Sequence, residues 1–445
     1  MSQGTLREVT DESYFEIIYS VDKSENTVSK EIIFRDGESI ITSIPIHHHK
    51  INETPIDVFD YSYLREDIKR KGVETRGVLR VCDLFSGCGG ISSGLEAAAN
   101  ALGFQVEFVL AWDIMEASKI AYELNFSPKY FMDSPIENTI DGELGEPITP
   151  SEKEFLDRIG RIDFVVGGPP CQGHSDLNNH SRRDDPKNDL YLRMTRFIEI
   201  TNPGFAIIEN VLTVRRSKSQ VTQLTNEFLG KTGFSIEQGA IRGIDIGIAQ
   251  DRRRHFSVIV RDNEVPRGIF KTKRIPQPRP VLWAINDLGD VDPASIYNHP
   301  STHQKQNVER IAWLFGDDWT DEEKDNEEFN FGTKKKPFSY NLINPRRPKC
   351  HQNGHNYPAV YGRMFPNLPA PTITCGFGST GQGRFVHPNY RRTLTPHEAA
   401  RVQSFPDKFI FPEEVKRRAM HMLIGNAVPP LMAEFISLRM LSTIR

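Results

Sequence analysis

Residues 167–175, GGPPCQGHS, set a cysteine behind two prolines and just after the apolar run IDFVV. Proline fixes φ at about −65° and pushes the residue before it towards extended backbone. Pro169 and Pro170 therefore form a stiff ledge with Cys171 at its end. A thiol held at the mouth of a strand is a candidate nucleophile, against the alternative of a buried structural cysteine. Glu209 closes the apolar run FAIIE, where desolvation raises a carboxyl pKa and lets it hold or share a proton. Arg252 and Arg254 precede the run HFSVIV, and strand alternation puts them on one side with Arg253 on the other.

A second constellation reads as a ligand cradle. DLFSGCGG begins at Asp83, follows an apolar run and opens a helical pattern. Gly87, Gly89 and Gly90 permit a tight turn and close approach of backbone to a ligand. The spacing is not GxGxxG, and Phe85 sits inside the turn, where an aromatic face suits an adenine or a sulfonium as well as a phosphate. Asp113 ends the next apolar run, where a carboxylate is placed to accept hydrogen bonds from ribose hydroxyls. Asp133, after Phe131 and Met132, is a candidate for an adenine amino group.

The surrounding pattern says what must position these groups. VLRVCDLF, VEFVLAWD, IDFVVGG, FAIIENV and HFSVIVRD have strand length, and helical patterns such as ISSGLEAAANAL, MEASKIAYELN and LYLRMTRFIEIT lie between them. This alternation predicts an α/β fold with a doubly wound sheet, ligands lying at the carboxyl ends of its strands. Residues 76–264 are expected to form the catalytic domain, 265–365 a smaller loop-rich domain rich in Pro, Asn and charge, and 366–445 a return to the catalytic domain. Residues 1–75 read as a separate N-terminal extension of short strands and one helix, with no catalytic constellation.

Composition narrows the class. The chain has 445 residues, 26% charged and 38% hydrophobic, with a net charge of −4. No apolar run approaches the roughly 20 residues of a membrane span. The N-terminus lacks the basic-then-apolar layout of a signal peptide, so a cytoplasmic protein is expected. Five cysteines in a chain of this length make no disulfide framework. Cys350, His351 and His355 lie close together without a second ligand pair at zinc spacing, so no metal is expected. The overall charge excludes a polycation but not nucleic acid, which needs only a local basic face. Basic stretches occur at Arg182 and Arg183, Arg215 and Arg216, 251–255 and 271–274.

The order DLFSGCGG, GGPPCQGHS, ENV, QDRRRHF, RTLTPHEAARVQSFP and GNAVPP, over roughly residues 78–440, resembles the C5-cytosine DNA methyltransferases. That resemblance implies a Rossmann-like methyltransferase sheet with residues 265–365 as its target-recognition domain, and S-adenosylmethionine as cofactor. It implies that Asp83, Phe85, Gly87, Gly89, Gly90, Asp113, Asp133, Pro169 and Asn426 form the cofactor pocket, Asn426 also supporting a flipped base. Cys171 becomes the nucleophile at cytosine C6, Glu209 the acid at N3, Arg254 the donor to O2, and Arg252 the residue that orders the active-site loop. His174 departs from the phenylalanine that many relatives carry there.

The implied partners are double-stranded DNA and a cognate restriction endonuclease acting on the same site, with the enzyme working as a monomer. A tRNA substrate and a catalytically silent DNA-binding regulator on the same fold are the competing readings. Amino-group methylation is disfavoured, because that chemistry places an aromatic residue after the two prolines. Residues 341–356 hold candidates for base contacts, and the Gly-rich stretch 376–385 either approaches the DNA backbone or simply turns.

Overall fold

The computed structural model describes residues 5–8, 15–34, 37–46, 53–65, 75–170, 189–216, 220–272, 275, 277–315 and 361–444. Among them a seven-stranded sheet forms the centre. Four antiparallel strands and a helix precede it: β1 (Thr5–Glu8), β2 (Phe15–Asp22), β3 (Thr27–Phe34), β4 (Ser39–Pro45) and α1 (Pro55–Arg65). β2 shows why it folds this way: Phe15, Ile17, Tyr19 and Val21 alternate inward while their neighbours are half-exposed.

The chain then alternates strand and helix: β5 (Gly77–Leu84), α2 (Gly90–Ala101), β6 (Phe104–Trp112), α3 (Glu116–Phe126), β7 (Tyr130–Met132), α4 (Pro150–Ile159), β8 (Phe164–Gly167), α5 (Asp189–Thr201), β9 (Phe205–Asn210), α6 (Val221–Lys231) and β10 (Phe234–Arg242). Two further strands, β11 (Gln250–Asp251) and β12 (Arg253–Arg261), close this part. The sheet order is β10-β12-β9-β8-β5-β6-β7. β12 is antiparallel to both its neighbours, and the other recorded pairings are parallel. β8 is buried throughout, as a strand covered on both faces must be. The expected α/β architecture is therefore present, in the strand arrangement of a Rossmann-like methyltransferase sheet.

The order reverses between β5 and β8, which places a crevice at their carboxyl ends. Leu84 and Gly167, the last residues of these strands, are register partners, so the two chains leave the sheet side by side. Because β12 runs the other way, it begins at the edge where β9 ends.

After β12 the described chain is sparse in regular structure: α7 (Val281–Ile285), α8 (Lys305–Trp313) and β13 (Ala370–Pro371). Three helices finish the molecule: α9 (Pro396–Val402), α10 (Arg417–Asn426) and α11 (Pro430–Leu441). Both α4 and α9 start with a Thr-Pro-x-Glu capping box, at Thr149 and Thr395. No helix among the described residues is long and apolar enough to cross a membrane.

The N-terminal strands have their own sheet but share a core. Tyr19, Val28, Ile32 and Ile56 pack in one apolar cluster with Leu95 of α2 and Met432, Phe435 and Ile436 of α11. Lys30 of β3 pairs with Glu434 of α11 at 2.9 Å, both nearly buried. Helices α2 and α11 touch at glycine: a Cβ on Gly94 would lie 2.1 Å from the Pro430 carbonyl oxygen and 2.6 Å from the Glu434 nitrogen. Gly230 in α6 has no such neighbour within 4 Å. Gly94→Ala is therefore expected to destabilise the protein by about 2 kcal/mol through overpacking. Gly230→Ala should be neutral or stabilising by up to about 1 kcal/mol through helix propensity. Thermal melts of both variants beside the parent check the pair.

Candidate active site

The cradle forms where β5 turns into α2. Asp83 is the penultimate strand residue and is fully buried. Its Oδ2 accepts the Ser92 hydroxyl at 2.6 Å, and Ser92 also bonds to Tyr122 at 2.7 Å. Burial, with the nearby Asp113 charge adding to it, pushes Asp83 up to about 7 against the opposing Ser92 bond. Phe85 takes a left-handed φ of 55°, uncommon for a residue with a side chain, and Gly87 and Gly89 follow at 53° and 90°. Gly90 admits the Val428 carbonyl, which would lie 2.2 Å from any Cβ there.

Asp113, just past β6, reaches across to this turn. Its Oδ2 accepts the Gly87 amide and its Oδ1 the Met115 amide, both at 2.9 Å. Burial raises its pKa also. Asp133 stands further out, paired with Lys119 at 3.2 Å on an exposed rim. Ile114, 73% exposed directly after Asp113, adds an apolar surface that the sequence pattern did not mark.

Three features of the cradle fit a polar nucleoside ligand. Asp83 Oδ1 and Ser86 Oγ are buried with no hydrogen-bond partner among the described residues. A Cβ on Gly87 would meet nothing within 4 Å, so the turn faces open space. Helix α2 begins at Gly90, three residues after Gly87, and the start of a helix favours a polar or anionic group.

Beside the cradle, β8 ends at Gly167 and leads into Gly168, Pro169 and Pro170. The Pro169 carbonyl accepts Asn210 Nδ2 at 3.2 Å. Asn210 is buried next to Glu209 at the end of β9, and it ties the ledge to that strand. Glu209 Oε2 would lie 3.1 Å from a Cβ on Gly168, so the carboxylate abuts the ledge itself. Its Oε1 pairs with Arg254 Nε at 2.9 Å. Burial raises the Glu209 pKa, while Arg254 and Arg252 oppose that rise without cancelling it.

Arg252 is 1% exposed. Its guanidinium donates to the carbonyls of Ile373 at 2.7 Å, Gly425 at 3.2 Å and Ala427 at 3.0 Å. The last two flank Asn426, the final residue of α10, whose Oδ1 accepts the Cys375 thiol at 2.9 Å. Gln250 reinforces the seam, its Oε1 accepting the Ile373 amide at 2.9 Å. Arg253 is exposed, as alternation predicts. The structure thus brings Asp83, Phe85, Gly87, Gly89, Gly90 and Asp113 together at one strand end, and Pro169, Glu209 and Arg254 at its neighbours. Asn426 is drawn in by Arg252 and Cys375.

Cys171 lies outside the described residues, as do His174, Arg182, Arg183 and Lys187, the span 341–356 with Cys350, His351 and His355, and the side chains of Arg215 and Arg216. The glycines at 376–383 pack inwards. Added Cβ atoms would strike His421 and Ser301 at Gly378, Gln382 at Gly376 and Phe385 at Gly383. Close intramolecular packing therefore accounts for glycine at those three positions. Asn210, Ser92, Tyr122 and Cys375 belong to the site but carry no sequence signal beyond adjacency to a motif. Asn210 alone stands inside a motif, ENV.

The family model for C-5 cytosine-specific DNA methylase matches residues 79–442. Type II methyltransferase M1.BsuMI of Bacillus subtilis (strain 168) is 39% identical over 93% of this chain and 92% of its own. Type II methyltransferase M.DdeI of Desulfomicrobium norvegicum is 27% identical over 81% of this chain and 88% of its own. A solved structure of a putative DNA modification methyltransferase encoded in an Escherichia coli prophage superposes with a TM-score of 0.54, at 24% identity, over 81% of this chain and 98% of that one. The last likeness supports the fold.

Asp83 supplies a test of the cradle's electrostatics. Its folded pKa of about 7 stands above the ordinary 3.8, so the folded state keeps a proton that the unfolded chain releases. Its contribution to stability therefore falls as pH rises between those two values and is flat above. Asp83→Asn removes this titration. The stability of the variant relative to the parent is expected to grow by about 2–3 kcal/mol between pH 5 and pH 8. Denaturant unfolding at the two pH values measures it.

Proposed function

The chain belongs to the C-5 cytosine-specific DNA methylases and is a DNA (cytosine-5-)-methyltransferase, and from that premise we propose how its own residues carry the reaction. The proposed cofactor is S-adenosylmethionine, held by Asp83, Phe85, Gly87, Gly89, Gly90, Asp113 and Asn426, with Pro169 at the inner wall and Asp133 at the rim. The unsatisfied Asp83 Oδ1 and Ser86 Oγ and the open face of Gly87 support that reading. The cofactor supplies an electrophilic methyl group on a sulfonium.

Cytosine C5 is a weak nucleophile until a thiolate adds at C6. Cys171 is proposed to make that bond. Glu209, held above the ordinary carboxylate range by burial, donates a proton at N3, and Arg254 hydrogen-bonds O2. With the methyl group received at C5, a base removes the C5 proton as the thiolate leaves C6, and N3 returns its proton to Glu209, so that both residues are regenerated. The target base is buried in duplex DNA, so it must be extruded at a cost of about a few kcal/mol. Arg252 acts through position, by fixing the backbone on both sides of Asn426.

The single observation that carries this proposal is the Glu209–Arg254 pair, 2.9 Å apart, packed against Gly168 three residues before Cys171. A restriction-modification role, protecting sites from an endonuclease of the same specificity, is proposed from the Type II names of the relatives. The enzyme is proposed to act as a monomer.

Bisulfite sequencing of a plasmid from cells expressing the chain is expected to show protected cytosines at one short site. Cys171→Ala should abolish them, a rate loss of about 10⁴-fold or more. Undiminished transfer by that variant sinks the covalent mechanism.

A further inference from the structure

Helix α1 lies in two cores at once. Ile56, Val58 and Phe59 belong to the cluster built with α2 and α11. Tyr61 and Leu64 belong to a second cluster, with Val281, Trp283 and Ile285 of α7 and Phe405 beyond α9. The Tyr61 and Trp283 rings meet edge to face at 5.8 Å. No other recorded helix of the N-terminal region bridges these clusters among the described residues.

Charge repeats the same connection. Arg279, just before α7, reaches Asp57 at 2.8 Å and Asp60 at 2.8 Å, and it also donates to the Gly247 carbonyl at 2.8 Å. Its guanidinium lies 4.2 Å from the Trp283 ring centre. Arg65, at the other end of α1, holds both oxygens of Asp287 at 2.9 and 2.6 Å, and it donates to the carbonyls of Trp283 and Ala284. Arg401 of α9 shares the Asp287 carboxylate at 3.3 Å. The Asp407 amide donates to the Leu64 carbonyl at 2.9 Å. Bidentate, nearly buried arginine contacts fix orientation as well as distance.

Residues 279–287 lie near the start of 265–365, just after the chain leaves the catalytic sheet for the proposed target-recognition segment. We propose that α1 is a brace that fixes where that segment starts, at residues 279–287, and through it the engagement of DNA, with Asp57, Asp60 and Arg65 as positioning residues. This gives the N-terminal extension a part in substrate engagement without any contact with cofactor or reacting atoms. The inference rests on residues 265–365 being the target-recognition segment.

The test uses full-length enzyme bearing the mild changes Asp57→Asn, Arg65→Lys and both together, each with a thermal melt to confirm folding. The expected result is a KM for duplex DNA raised by about fivefold in the double variant, with kcat and the Kd for S-adenosylhomocysteine within about twofold. Asp57→Glu, which restores the carboxylate, should bring the DNA KM most of the way back. Equal losses in DNA KM and S-adenosylhomocysteine affinity make α1 a general support and overturn the inference. Unchanged DNA KM in folded variants overturns it also. Arg346→Ala with Arg347→Ala tests the underlying assignment separately. If that pair leaves the DNA KM intact, the reading of 265–365 fails. If it raises KM while the α1 variants do not, only the brace fails.

Discussion

Arg252 is a charge sealed away from water and answered with backbone carbonyls. Burying a guanidinium is costly unless its donors are satisfied, and each carbonyl left without it would carry its own penalty. The arrangement therefore holds only if Ile373, Gly425 and Ala427 sit where they do. It joins the start of β12 to two stretches more than a hundred residues further along the chain. Gly425 completes the fit, since a Cβ there would lie 2.3 Å from the Cys375 nitrogen. The C-terminal part of the molecule is thus sewn onto the sheet at the place where the reaction is proposed to occur.

Burial and pairing compete at each acid of the site, and the outcome differs with position. Glu209 has a cation at 2.9 Å yet stays above the ordinary range, because it is enclosed. Asp83 has a hydroxyl and a neighbouring carboxylate, and both its seclusion and that neighbour push the same way. Asp407, by contrast, is held low by His397 and Arg401 despite its burial. The first two lie at strand ends facing the crevice and the third braces the scaffold. The division follows enclosure: at the two strand ends burial outweighs pairing, whereas at Asp407 the hydrogen bonds from His397 and Arg401 outweigh it.

Much of the sheet was legible because its strands are continuous apolar runs. FVVG and FAIIEN cannot be anything but buried strands between helical patterns. β10 was not, since only Phe234 and Ile241 of its residues are buried and Gly239 interrupts it. It lies at the edge of the sheet, where one flank needs no apolar side chain. The site was legible where chemistry demands an unusual residue, as at the ledge, the glycine turn and Glu209. It was not legible where ordinary residues act through distant neighbours. Cys375 meets Asn426 across 51 positions, and Asp57 meets Arg279 across 222. No local pattern encodes such a meeting. The N-terminal extension read as separate for the same reason, because its alternating strands show which face is apolar but not what covers it.

The last helix, α11, fills the groove between the N-terminal sheet and α2, with Met432 and Ile436 inaccessible to solvent. During synthesis the first strands leave the ribosome long before the residues that roof them. At about 5–20 residues per second the wait lasts on the order of tens of seconds. Through that interval the inward side chains of β2 and β3 lack the α11 residues that cover them in the finished fold. Cooperative closure waits for residues 430–441, so the core that holds the N-terminal sheet cannot form before they are made.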